Sequence, residues 1–175
     1  LHLALLRCGA VQVPLNPAYT DDEVTSLLAD AEPTVVIRDP GLPALPGPWT
    51  FLTMDAAGDG TVQDLPTDAA AGLPRLEPDD GAALLYTSGT TGRPKGVMLA
   101  ESNLRASAEA SRRHLDVREG ERWLACLPLF HVGGLSLLLR SVVDGSCVVL
   151  HERFDAAAVA AAIDAGEVSF ASLVP

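Results

Sequence analysis

The run YTSGTTGRPKG at residues 86–96 gathers side chains suited to chemistry: Thr87, Ser88, Thr90 and Thr91, the glycines Gly89, Gly92 and Gly96, and Lys95. Lys95 is the only lysine of the chain, and every other cationic side chain is arginine. A glycine-rich stretch after a strand presents backbone N–H groups to an anion, and glycine allows a close approach that a side chain would block. Hydroxyl donors and a mobile ammonium complete a set suited to a polyphosphate. Lysine fits a departing phosphate, because its flexible stem follows the charge where arginine would impose a fixed fork. The spacing is neither the Walker pattern, since Pro94 precedes Lys95 and Gly96 follows it, nor the dinucleotide GxGxxG. A solvated turn with a lysine on its rim is the bland alternative, and the number of positions that fit together weighs against it.

A second candidate is Pro128-Leu-Phe-His131, followed by Gly133 and Gly134. A lone histidine beside apolar residues is more often structural than functional. Here the flanking proline and glycines predict a shaped turn between a strand and a helix. His2, His114 and His151 are too scattered to form a metal site. Cys8, Cys126 and Cys147 contain no CxxC pair, so free thiols in a reducing compartment are expected, with the cytoplasm as the default location.

The elements that must hold these residues alternate. A helix ending at Gly9 leads to a short strand at 11–14. Thr20-Asp-Asp-Glu23 fits a capping box, with Val24, Leu27, Leu28 and Ala31 following at helical spacing. Pro33 ends that helix, and residues 34–37 read as a buried strand. This strand–helix–strand unit favours parallel pairing. Residues 39–80 are rich in proline, glycine and acids and read as a connection, with a strand possible only at 49–54. Strands are then expected at 82–86, 97–99, 123–127, 147–150 and 168–173, and helices at 103–114, 135–143 and after Asp155. Glu101 and Ser102 read as caps of the 103–114 helix, and Arg112 and Arg113 as its solvated residues. The alternation predicts an α/β fold with largely parallel sheets flanked by helices.

The chain has 175 residues, nearly half of them apolar, enough for a sizeable core. A net charge of −11 argues against a nucleic-acid partner. No run is long enough for a membrane span. The ends, LHLALLRCGA and SFASLVP, read as a helix already under way and a strand cut short, so an internal piece of a longer protein is expected. The oligomeric state stays open, a homo-oligomer included.

LLYTSGTTGRPKGV resembles the phosphate-loop signature of the adenylate-forming superfamily, which includes acyl- and aryl-CoA synthetases, peptide-synthetase adenylation domains and luciferases. RCGAVQVPLNPAYTDDEV and LPLFHVGGL resemble two further segments of that family, in the family's order. The resemblance covers essentially the whole chain but only the middle of the family's N-terminal domain. It implies a first α/β segment at 1–38, a connection at 39–80 and the phosphate-loop and acyl-pocket segment at 81–175, with the C-terminal lid domain absent. It implies ATP, Mg²⁺ and coenzyme A as partners of a small carboxylic acid. It places Thr87, Ser88, Gly89, Thr90, Thr91, Gly92 and Lys95 on the phosphates, with Lys95 catalytic, and His131, Gly133 and Gly134 at the acyl substrate.

Ser-Gly-Thr-Thr-Gly and His131 resemble CoA ligases more than peptide synthetases, and residues 127–155 with ASLVP are most similar to the 2-succinylbenzoate–CoA ligases of menaquinone synthesis. Fatty-acyl and aryl CoA ligases, a peptide-synthetase domain, and a noncatalytic nucleotide-binding piece or degenerate homologue stay open as alternatives.

Overall fold

The computed structural model describes residues 1–43, 45–64, 77, 79–87 and 94–174. Two compact units divide the chain: Leu1–Pro14 with Pro74–Pro175, and Leu15–Leu73.

In the Leu15–Leu73 unit, helix α2 (Asp21–Ala31; α1 belongs to the other unit) begins at a complete capping box. Thr20 Oγ1 accepts from the Glu23 N–H at 3.3 Å, and Glu23 Oε2 accepts from the Thr20 N–H at 2.8 Å. These bonds to the Thr20 backbone and hydroxyl hold the Glu23 carboxyl below its ordinary range. Leu27 and Leu28 form the buried face of α2, and Glu32 ends it in the left-handed region just before Pro33. Strand β1 (Val35–Arg38) then pairs in parallel with β2 (Thr50–Thr53), from Val35↔Thr50 to Arg38↔Thr53. The strand foreseen at 49–54 within the 39–80 connection is thus β2, the partner of β1. A 3₁₀ turn at Thr61–Asp64 follows.

The other unit holds helix α1 (His2–Arg7), which ends before Gly9 at φ +67°. The strand expected at 11–14 reduces to one parallel bridge, Gln12↔Ala83. That is a correction to the strand–helix–strand reading: residue 12 bonds to β3 (Gly81–Thr87), and β1 to β2. Backbone bonds from the Gln12 N–H to the Ala82 carbonyl and from the Leu84 N–H to the Gln12 carbonyl carry the bridge. On its other edge β3 pairs antiparallel with β4 (Lys95–Ala100).

Helix α3 (Glu101–Leu115) follows β4 without a break, and Asn103 Oδ1 accepts the Ala100 N–H at 3.0 Å. Glu101 and Ser102 lie inside its first turn rather than at the cap, and Glu101 pairs with Arg105. A parallel sheet in the order β6–β5–β7 completes the unit, built from β5 (Arg122–Ala125), β6 (Cys147–Leu150) and β7 (Phe170–Ala171). Helix α4 (Val132–Asp144) joins β5 to β6, with Gly145 as its left-handed cap. Helix α5 (Ala156–Asp164) joins β6 to β7, capped by Asp155 Oδ1 on the Ala158 N–H at 2.8 Å. The α/β architecture expected from the alternation is thus present, with one antiparallel pair.

Helix α4 is apolar on most of its surface because it packs on two sides. Leu135 joins Ala83 and Leu85, and Leu139 joins Ala82 and Leu104. Leu137 joins Trp123, Ala125 and Val117 on the parallel sheet. Burying each such leucine stabilises the fold by about 1.5–3 kcal/mol.

Among the described residues no helix is long and apolar enough to cross a membrane. The cysteines are free, Cys126 buried and Cys8 and Cys147 exposed.

Two outcomes follow from these local contacts. Thr20→Ala removes an N-cap oxygen and should cost about 1 kcal/mol in chemical denaturation. His2 is buried against the Gln12 amide, and burial pushes its imidazole below the ordinary 6.5. The unfolded chain then takes up the proton first, so stability should fall as pH drops below 6.5 toward the folded value. Denaturation midpoints measured between neutral and mildly acid pH should show this fall, and His2→Leu should flatten it.

Candidate functional site

Strand β3 leads into the glycine-rich 86–96 segment. Ala82, Ala83, Leu85 and Tyr86 are buried, so the strand is anchored by its own side chains and flanked on both edges. It ends at exposed Thr87, which pairs with Lys95 in the antiparallel register. The Thr87 hydroxyl donates to the Lys95 carbonyl at 3.4 Å. The ammonium-bearing residue and the first hydroxyl of the motif therefore leave the core side by side. Ser88, Gly89, Thr90, Thr91 and Gly92 lie outside the described residues.

Gly96 owes its identity to this hairpin base. A Cβ there would sit 2.9 Å from Leu84 Cδ1 and 3.3 Å from Tyr86 Cε1. The Tyr86 ring and the end of the Leu84 side chain thus crowd the backbone next to Lys95. The reading from sequence assigned Gly96 no role, and its position opposite Tyr86 could have been found only from the strand register.

The second segment begins where β5 ends. Pro128 starts a turn closed by the His131 N–H on the Pro128 carbonyl at 3.1 Å. His131 is the N-cap of α4, and its carbonyl accepts from Gly134 and Leu135 at 3.1 and 2.9 Å. Its imidazole makes no capping bond and stays exposed. The Phe130 ring packs on it, with centroids 4.5 Å apart and planes tilted by 58°. The side chain is thus free of the fold's own needs while its backbone is fixed.

The helix expected over 135–143 starts earlier, at Val132, and runs through Gly133 and Gly134. At Gly134 a Cβ would collide with the carbonyls of Pro128 and Leu127. The close approach at this position is made by the chain's own backbone. Gly133 has only an ordinary 3.5 Å contact with Leu127 Cδ1.

Both segments hang on α4. Its Leu135 and Leu139 pack against β3, which leads to Thr87, and its first turn carries His131. A phosphate-binding candidate and an exposed imidazole are so tied to the same helix.

The profile of the AMP-binding enzyme family matches residues 1–175. The chain belongs to the AMP-binding enzyme family. A 2-succinylbenzoate–CoA ligase of Bacillus cereus is 35% identical over 171 residues, covering 98% of this chain and 34% of the relative. A counterpart from Bacillus licheniformis is 53% identical over 96 residues, covering 55% of this chain and 20% of the relative. The chain thus spans about a third or less of the length of these curated relatives.

Among solved structures, O-succinylbenzoate coenzyme A synthetase (MenE) of Bacillus subtilis in complex with AMP superposes with a TM-score of 0.82 at 34% identity. It is matched over 98% of this chain and 44% of that one. ATP-bound MatB of Rhodopseudomonas palustris superposes with a TM-score of 0.76 at 30% identity, over 93% of this chain and 34% of that one. The Bacillus subtilis enzyme has also been solved with ATP and magnesium ion.

For this member of the AMP-binding family the two glycines beside His131 should respond differently. Gly134→Ala should cost about 1–3 kcal/mol, because backbone carbonyls cannot yield to the added methyl. Gly133→Ala should be neutral or mildly stabilising, since alanine favours a helix by up to about 1 kcal/mol over glycine. Thermal unfolding of both variants checks the contrast.

Proposed function

We propose that this chain is the phosphate-loop and acyl-pocket portion of the N-terminal domain of an ATP-dependent acid–CoA ligase, acting on 2-succinylbenzoate. The observation that carries the reading is the pairing of Thr87 with Lys95 at the end of the buried strand β3, braced by the helix that also presents His131. The names of the Bacillus relatives support the substrate.

In the first step a carboxylate oxygen of the acid attacks the α-phosphorus of ATP. The bond to the bridging oxygen breaks, giving an acyl-adenylate and pyrophosphate. A carboxylate is already ionised near neutral pH, so no general base is needed. The step needs stabilisation of charge growing on the leaving pyrophosphate. Thr87, Ser88, Gly89, Thr90, Thr91 and Gly92 would donate to the β- and γ-phosphates, and the Lys95 ammonium would follow the pyrophosphate as it departs. Mg²⁺ would arrive with the nucleotide and supply further charge neutralisation. His131, with Gly133 and Gly134 beside it, would orient the acid against the adenylate. In the second step the thiol of coenzyme A attacks the acyl carbon, AMP leaves, and a thioester forms.

ATP–pyrophosphate exchange in the complete protein tests this reading. Exchange should appear with 2-succinylbenzoate and not without an acid. Lys95→Ala should lower it about 100-fold, and Lys95→Arg should recover only part of the loss. Exchange driven by a fatty acid or another aryl acid would reassign the substrate. Retained ATP binding without exchange for any acid would reduce the protein to a nucleotide binder, and unchanged exchange in Lys95→Ala would remove the lysine from its role.

A further inference from the structure

Asp144 is the last residue of α4 and is only 2% exposed. An acid in the last turn opposes the helix dipole, which favours cations there. Neither carboxylate oxygen has a hydrogen-bond partner among the described residues. Burial pushes this carboxyl above its ordinary range, against the pull of Arg112 and Arg140. Such a group needs compensation from its surroundings.

The surroundings are ordered around one ring. Leu137, Arg140 and Asp144 fall on one face of α4 by helical spacing, and that face meets β5 at Trp123. Leu137 packs in the same core cluster as Trp123, and the Arg140 guanidinium lies 5.8 Å from the Trp123 ring centroid. The Trp123 indole N–H adds to the groups favouring the charged Asp144, though it stops short of full hydrogen-bond geometry. Trp123 is itself fixed from behind, stacked on Phe170 at 4.8 Å. From α3, Arg112 reaches the Val143 carbonyl at 3.5 Å, next to Asp144. Arg112 stays exposed, as expected of a solvated helix residue, while its guanidinium touches the end of α4.

Helix α4 is therefore held at both ends. Its first turn is pressed onto the carbonyls of Leu127 and Pro128 at Gly134, and toward its other end the Arg140 guanidinium lies over the Trp123 ring. We propose that Asp144, with Arg140 and Trp123, is a positioning device that fixes the axial placement of α4 on β5 and thereby the Pro128–His131 turn at the opposite end of the helix. The residues act on the substrate only through that turn. What the turn serves rests on the functional reading above, whereas the mechanical link does not.

Amide hydrogen exchange of the complete protein, without substrate, reads the link. Asp144→Asn should lower the protection of the His131, Gly134 and Leu135 amides about tenfold while leaving the Leu84 amide on β3 unchanged. The charge-free pair Asp144→Leu/Arg140→Met should restore protection to within about twofold, because removing both charges leaves neither one stranded. In turnover, Asp144→Asn should raise KM for the acid about tenfold without moving KM for ATP.

A uniform loss of protection would show mere destabilisation and overturn the proposal. So would an unchanged turn, a double variant no better than the single one, or failure of both variants to fold. Absence of exchange chemistry in the unaltered protein would strike the functional reading alone, since the amide measurement needs no turnover.

Discussion

The burial of α4 between two sheets is the constraint on which the rest of this unit depends. A helix that packs one side against β3 and another against β5 must be apolar over most of its surface, and Leu135, Leu137 and Leu139 meet that demand. Because one rigid element serves both sheets, the end of β3 and the end of β5 are held in one frame. Close-packed interiors transmit small displacements. Leu135 and Leu139 tie the helix to β3, and its first turn carries His131, so both strand ends share one support.

That arrangement separates holding from doing. Core residues on β3, β5 and α4 fix the frame, and the exposed groups at its rim carry no structural duty. Lys95 sits exposed beside Thr87, and the His131 imidazole is exposed with only Phe130 against it. A phosphate-neutralising ammonium needs mobility at its tip and immobility at its base, and a strand register supplies the second without limiting the first. The cost of the arrangement appears at Asp144, where an acid is buried at the wrong end of a helix dipole with neither carboxylate oxygen hydrogen-bonded among the described residues.

The chain belongs to the AMP-binding family over its whole length. The similarity to 2-succinylbenzoate–CoA ligases and to MatB extends over nearly the whole chain while covering about a third of the relatives' length.

Local chemistry was legible in the sequence wherever a few neighbouring residues settle the outcome. The Thr20–Glu23 box, the Asp155 cap, the left-handed glycines at 9, 145 and 166, and the α/β alternation all follow from short-range hydrogen bonding and sterics. The density of the 86–96 motif likewise pointed to phosphate chemistry without a structure. Only the tertiary structure decided pairings and burial. Residue 12 bonds to β3 instead of belonging to a strand beside β1, because strand partners are chosen by packing across the fold and not by order along the chain. Gly134 is required by the carbonyls of Leu127 and Pro128, Gly96 faces Leu84 and Tyr86 across the strand register, and Arg112 reaches the Val143 carbonyl from α3. Each of these depends on a neighbour distant in sequence or set by register, and no periodicity or composition records such a neighbour.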